Sequence, residues 1–315
     1  INSSMDFFAI IIGLFFLIKG GEYLFDGSLA ISIKLKIPKF IIGMTVVSFA
    51  TSAPELVVSV KSALMGYPDL ALGNIVGSNI ANIAFVMGIV VLLSPIKIDK
   101  VFYKFDWPIM MLITLLFYYF LKTGNFLSLE EGIIMIAVLI IYLFFILFFQ
   151  KNRLLDEEVF DNRINKKYIK IFYLIVLGGF LLWLGSEVLI KGAISLASKL
   201  GVSERIISVS IIAFGTSIPE LSTSIIAIIN KEEKISIGNL IGSNIFDMLG
   251  VIGITAILSP IYIMDEKLIT SDLIWMLAIA ILLLPLVFFP NKMKFGRQEG
   301  IILILFYIFY IVRLF

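Results

Sequence analysis

Two peptides, ATSAPELVVS at 50–59 and GTSIPELSTS at 215–224, each set one carboxylate, Glu55 and Glu220, among long apolar runs. Each acid follows a proline. Pro54 and Pro219 remove a backbone donor and crowd the carbonyl four residues earlier, at Ala50 and Gly215. Thr51-Ser52 and Thr216-Ser217 add hydroxyls in the same turn. The expectation is a break in each helix that frees carbonyl oxygens beside a carboxylate. Two such breaks facing one another form an all-oxygen site for a hard cation, with the ligand number Ca2+ prefers.

A second duplicated peptide, GNIVGSNIAN at 73–82 and GNLIGSNIFD at 238–247, adds Ser78, Asn79 and Asn82 and their counterparts Ser243, Asn244 and Asp247. Asn82 and Asp247 are equivalent, so the group carries up to three negative charges, on Glu55, Glu220 and Asp247. None of the four peptides contains Lys or Arg. Acids within a bilayer are costly when unpaired; a bound cation, or protons when it leaves, supplies the missing charge. Gly73, Gly77, Gly238 and Gly242 let these helices approach the broken pair.

Plainer readings stand beside these. Ser78 and Ser243 also suit close packing, Asp247 a structural acid bonded to a serine. Asn79 and Asn244 read as structural, bonding backbone at a helix distortion. Glu22 and Glu187 duplicate outside the motifs and read as gating or packing residues. Asp26 has Lys191 as its counterpart and is no symmetric site element, and Asp69 reads as a solvated loop acid.

The elements that must hold these residues are transmembrane helices. The chain has 315 residues, 60% of them hydrophobic and 15% charged, with a mean hydropathy of +1.07, and its charges cluster between apolar stretches. With no His there is no imidazole metal site, and with no Cys no disulfide. A net charge of +2 gives no footing for nucleic acid. Ten spans are expected, near 5–33, 40–65, 70–94, 105–122, 130–149, 168–198, 206–229, 234–258, 270–289 and 298–314. The first is too long for a signal-peptide core and reads as a retained helix. Blocks of about 20 apolar residues exclude an outer-membrane barrel.

The polar stretch QKNRLLDEEVFDNRINKK at 150–167 divides the spans five and five. The expected organisation is an N-terminal five-helix repeat (1–150), a cytoplasmic linker (151–167) and a C-terminal repeat (168–315). A shift of 165 positions aligns the halves without gaps from Gly20 to Ile96, which marks an internal duplication. Five spans per repeat invert the second copy. With the N-terminus outside, the inner loops hold 17 of the 25 basic residues, from Lys34, Lys36 and Lys39 through Lys292, Lys294 and Arg297. The positive-inside rule therefore puts both termini outside and 150–167 in the cytoplasm of a plasma-membrane protein. Inverted repeats are a recurrent plan of secondary transporters, with sites at the bilayer midplane.

At these residues the chain resembles the sodium/calcium exchanger family of the calcium/cation antiporters. GMTVVSFATSAPELVVSV with GNIVGSNIANI, and SVSIIAFGTSIPELSTSI with GNLIGSNIFDM, match its paired repeats. The resemblance implies ten helices in two inverted five-helix repeats and exchange of Na+ against Ca2+ at a four-lobed central site, with the first and sixth spans moving to switch access. It implies Glu55 and Glu220 as the main Ca2+ carboxylates, with backbone carbonyls from Thr51 and Thr216. Ser52, Ser217, Ser78 and Ser243, with the carbonyls of Ser48 and Ala213, would shape flanking Na+ sites, and Asn82 and Asp247 would complete the middle position. No cofactor and no obligate protein partner are implied; the partners are the ions and the bilayer. The short linker lacks the large regulatory domains of animal exchangers, as in minimal prokaryotic members. GSNIFD is similar to the potassium-dependent branch, which leaves K+ open. The proton-coupled branch typically sets its acid in Gly-Asn-x-x-Glu, unlike the Thr-Ser-x-Pro-Glu here. An intramembrane protease would need Gly-x-Gly-Asp and a lipid phosphatase a membrane-depth Arg or His; neither occurs. Two carboxylates on one ion suit tight binding better than channel permeation.

Overall fold

The structure, a computed structural model, describes residues 3–124, 126–150, 166–199 and 213–314. These are almost wholly helical. In chain order the helices are α1 (Ser3–Leu35), α2 (Lys39–Thr51), α3 (Ala53–Leu64), α4 (Pro68–Leu93), α5 (Phe102–Gly124), α6 (Leu129–Phe148), α7 (Tyr168–Lys199), α8 (Ala213–Thr216), α9 (Ile218–Ile229), α10 (Glu233–Leu258), α11 (Leu268–Phe288) and α12 (Arg297–Leu314). Against the ten spans expected, seven helices among the described residues are long and apolar enough to cross a membrane, or eight if the bent pair α2–α3 is one span. The seventh expected span is described only from Ala213 onward, as α8 and α9. The tenth is α12, which includes Arg297, Glu299 and Arg313. Of the linker, 151–165 lies outside the described residues.

Features recur at the offset of the sequence duplication. Ala81–Val86 of α4 and Phe246–Val251 of α10 widen into single π-helical turns, as do, one position beyond that offset, Phe102–Asp106 and Leu268–Asp272 at the starts of α5 and α11. Such bulges expose carbonyls and re-aim side chains, and are frequent at functional sites. Two-residue strands, which carry no periodic sequence signal, join the loops: β1 (Ile96–Lys97) pairs antiparallel with β4 (Lys294–Phe295), and β2 (Phe126–Leu127) with β3 (Ile261–Tyr262).

The chain divides into two compact units, each drawing on both halves of the sequence. The first comprises Ile1–Pro54 and Leu143–Gly242, and the second Glu55–Tyr142 and Ser243–Leu314. In the first unit α1 and α7 run along a seam of glycines seven residues apart, Gly13, Gly20 and Gly27 against Gly178, Gly185 and Gly192. A Cβ on Gly20 would lie 2.7 Å from the Leu182 backbone nitrogen and one on Gly178 2.4 Å from that of Leu24. Lipid offers no hydrophobic drive for helices to associate, so such backbone contact, with its dispersion attraction, holds them. Leu17, Leu24, Phe25, Ile42, Val47, Leu182, Ile218, Ala227 and Ile235 fill the core of this unit. In the second unit, paired glycines again mark close crossings: Gly88 of α4 against Gly300 of α12, and Gly132 of α6 against Gly253 of α10.

Several acids outside the motifs have local partners. Glu22 pairs with Lys19 and Glu187 with Lys191 along their own helices, and Asp26 pairs with Lys166 at 2.9 Å. Asp69 accepts the Met264 backbone N–H at 2.9 Å.

Candidate functional site

The prolines act as expected. α2 ends at Thr51, Ser52 leaves helical geometry (φ −78°, ψ 5°), and α3 restarts at Ala53 with a bend of 44°. In the duplicate, α8 ends at Thr216, Ser217 has φ −85° and ψ 0°, and α9 starts at Ile218. Glu55 and Glu220 therefore stand in the first turn of the helices after the breaks. There the unsatisfied N–H groups and the helix dipole favour negative charge. Both side chains are fully buried.

In the first unit, Ser48, Thr51, Ser52, Thr216 and Ser217 are all buried at these breaks. Ser52 Oγ and its counterpart Ser217 Oγ make no hydrogen bond among the described residues. Buried hydroxyls are normally satisfied, so the same departure at both breaks is a property of the repeat. The Gly215 carbonyl accepts the Ser186 hydroxyl at 2.9 Å. Ala213 begins α8. The first break is braced by Asn239 of α10. Its side-chain oxygen accepts the Thr51 hydroxyl at 3.1 Å, its amide nitrogen donates to Ser224 Oγ at 3.2 Å, and its backbone carbonyl lies 2.9 Å from Ser48 Oγ. Glycine makes this approach open to α10. A Cβ on Gly238 would lie 2.3 Å from the Phe40 carbonyl, one on Gly242 2.3 Å from Ser48 Oγ, and one on Gly43 2.4 Å from the Ile235 carbonyl. Gly73, equivalent to Gly238, has nothing within 4 Å.

In the second unit, the Glu55 backbone carbonyl accepts the Asn74 amide at 3.4 Å, and the same amide reaches Ser59 Oγ at 3.2 Å. Asn74–Ser59 and Asn239–Ser224 are thus one contact made twice. Ser78, Asn79, Asn82, Ser243, Asn244 and Asp247 are buried. Asn79 donates to the Ile75 carbonyl at 2.9 Å, the backbone bond expected of it, and also reaches Asp247 Oδ2 at 3.4 Å. The side-chain amides of Asn82 and Asn244 make no hydrogen bond among the described residues. Asn82 and Asp247 each occupy the second position of a π-helical turn. Among the described residues no three His, Cys, Asp or Glu side chains gather as a metal-holding group.

Asn74, Asn239, Ser59 and Ser224 lie within the repeated peptides but are not among the residues that the motifs single out. Their duplication at the common offset was the available signal; that each asparagine spans from one peptide of a pair to the other was not.

The family model described as sodium/calcium exchanger protein matches residues 5–148 and 170–315. CaxA of Alkalimonas amylolytica is 35% identical over 312 residues, covering 97% of each chain. The sodium/calcium exchanger MaX1 of Methanosarcina acetivorans is 29% identical over 349 residues, covering 99% of each. A structure of the sodium-calcium exchanger NCX_Mj, soaked with 2.5 mM Na+ and 10 mM Sr2+, superposes with a TM-score of 0.82 at 27% identity, covering 99% of both chains.

Proposed function

The chain belongs to the sodium/calcium exchanger family of membrane cation antiporters, and on that premise we propose that it exchanges Na+ for Ca2+ by alternating access at a carboxylate site. The observation that carries this is the duplicated break, which sets a fully buried glutamate, Glu55 or Glu220, one turn after a buried serine, Ser52 or Ser217, whose hydroxyl makes no hydrogen bond among the described residues. Glu55 and Glu220 are the proposed Ca2+ carboxylates, with the backbone carbonyls of Thr51 and Thr216. Ser52, Ser217, Ser78 and Ser243 and the carbonyls of Ser48 and Ala213 are proposed for Na+, with Asn82 and Asp247 at the middle position. Na+ and Ca2+ compete for the same acids, so occupancy by one expels the other, and alternating access couples the two gradients.

Ten spans in two inverted repeats complete the proposal, and the strand pairing supports it. β1 and β3 are equivalent in the duplication, yet β3 pairs with β2, and β1 is separated from β2 by the single helix α5. With α5 crossing the membrane, equivalent strands fall on opposite faces, as inversion requires. The absence of Cys makes the orientation testable by introduced thiols. A membrane-impermeant maleimide added to intact cells should label Lys267→Cys and leave Lys292→Cys unlabelled until the cells are opened. Labelling of both from outside would sink the inverted arrangement.

The exchange reading is tested in proteoliposomes loaded with Na+, K+ or choline at matched pH and diluted into Na+-free buffer with radiolabelled Ca2+. Uptake from Na+-loaded vesicles alone is expected. A further requirement for K+ would move the protein to the potassium-dependent reading that Asp247 suggests, and uptake driven by a pH step without Na+ to a Ca2+/H+ antiporter.

A further inference from the structure

We infer that Asn239 is a positioning residue that sets the Na+ preference of the site, by drawing the Thr51 hydroxyl proton away from the Ser48 carbonyl. The inference rests on the exchange reading above.

The single proton of the Thr51 hydroxyl can reach Asn239 Oδ1 at 3.1 Å or the Ser48 carbonyl at 3.3 Å. The Ser48 carbonyl already accepts the Ser52 backbone N–H at 2.9 Å. A carbonyl oxygen has two lone pairs. If the hydroxyl turned to Ser48, both would be occupied. With the proton on Asn239, one lone pair of the Ser48 carbonyl stays available to a cation.

The geometry keeps Asn239 in that role. Its amide nitrogen is committed to Ser224 Oγ at 3.2 Å, which aims its oxygen at Thr51. Its backbone carbonyl lies 2.9 Å from Ser48 Oγ, which fixes α10 against the same turn of α2. Gly238 and Gly242 on either side of it admit this approach, since a Cβ at either would lie 2.3 Å from an atom of α2. Asn239 is thus a buried amide that three polar contacts hold in one orientation, on a carbonyl proposed to ligate Na+. Asn239 meets Thr51 at its hydroxyl, whereas the part of Thr51 proposed for Ca2+ is its backbone carbonyl, so removal of Asn239 should act on one ion more than the other. A mere brace would weaken both alike.

The test compares Na+ and Ca2+ half-saturation in proteoliposomes. Asn239→Ala should raise the Na+ value about tenfold, equal to about 1.4 kcal/mol, and the Ca2+ value less than about twofold. Adding Thr51→Val removes the proton that would otherwise occupy Ser48, and should bring the Na+ value of Asn239→Ala back to within about threefold of wild type. Equal shifts for both ions, or no recovery in the double variant, would reduce Asn239 to a structural brace. Should Asn239→Ala fail to fold, Ser224→Ala frees the amide to rotate and should raise the Na+ value alone; an unchanged value there would overturn the inference. If wild-type vesicles show no Na+-driven uptake, the exchange reading itself fails; wild-type exchange with unaltered variants refutes this inference alone.

Discussion

Glu55→Gln and Glu220→Gln should each lower Na+-driven Ca2+ uptake at least about 100-fold. Hard cations such as Ca2+ are held by anionic and carbonyl oxygens, and Gln keeps the shape of Glu while removing its charge. Replacing groups that only support a metal's ligands already costs about 10–100-fold in affinity or activity, so loss of a ligand charge should cost more. Folding should survive. Both glutamates are fully buried, and a neutral amide is cheaper to bury than a carboxylate whose cation is absent. In ion-free buffer the variants should melt at or above the wild-type temperature. Ca2+ at 100 times its dissociation constant stabilises a binding-competent protein by about 2.7 kcal/mol; that increment should vanish in both variants. Uptake within tenfold of wild type in either one, or retained Ca2+ stabilisation, would remove that acid from the proposed site.

Gly238→Leu should destabilise the fold strongly or prevent it. The position allows no side chain: its Cβ would lie 2.3 Å from the Phe40 carbonyl and 3.1 Å from the Met44 backbone nitrogen. The atoms in the way are backbone, not the far end of a side chain, so α10 and α2 would have to separate. Overpacking a core costs about 1–3 kcal/mol where side chains can yield, and here they cannot. Separation would also break the Asn239 contacts to Thr51 and Ser48 one residue on. The detergent-solubilised variant should lose its monodisperse size-exclusion peak or melt at least about 5 °C lower. Gly73→Leu is the control, because Gly73 occupies the same place in the repeat and meets nothing within 4 Å. Equal damage from both substitutions would show that the glycines matter for some general property of the repeat and not for this crossing.

The sequence by itself determined the membrane class, the duplication and the broken helices. Each follows from a local or periodic property: long apolar runs have one stable outcome in lipid, a common offset aligns two peptides, and each proline before a glutamate removes a backbone donor and crowds the turn before it. Glu55 and Glu220 were legible for the same reason, as acids placed twice where burial is costly. Tertiary structure decided what the polar residues around them do. Asn79 read as a backbone-bonding residue and does bond the Ile75 carbonyl, but it also reaches Asp247, 168 positions away. Nothing in the sequence marks Asn239 beyond its duplication, yet it joins Thr51, Ser48 and Ser224 from a third segment of the chain. Glu22 and Glu187 duplicate as the proposed site acids do, but each pairs with a lysine three or four positions away on its own helix, Lys19 and Lys191. Hydrogen bonds between distant segments depend on which helix faces cross and how closely. That distance is set here by glycines such as Gly43 and Gly238, whose partners no single stretch of sequence names.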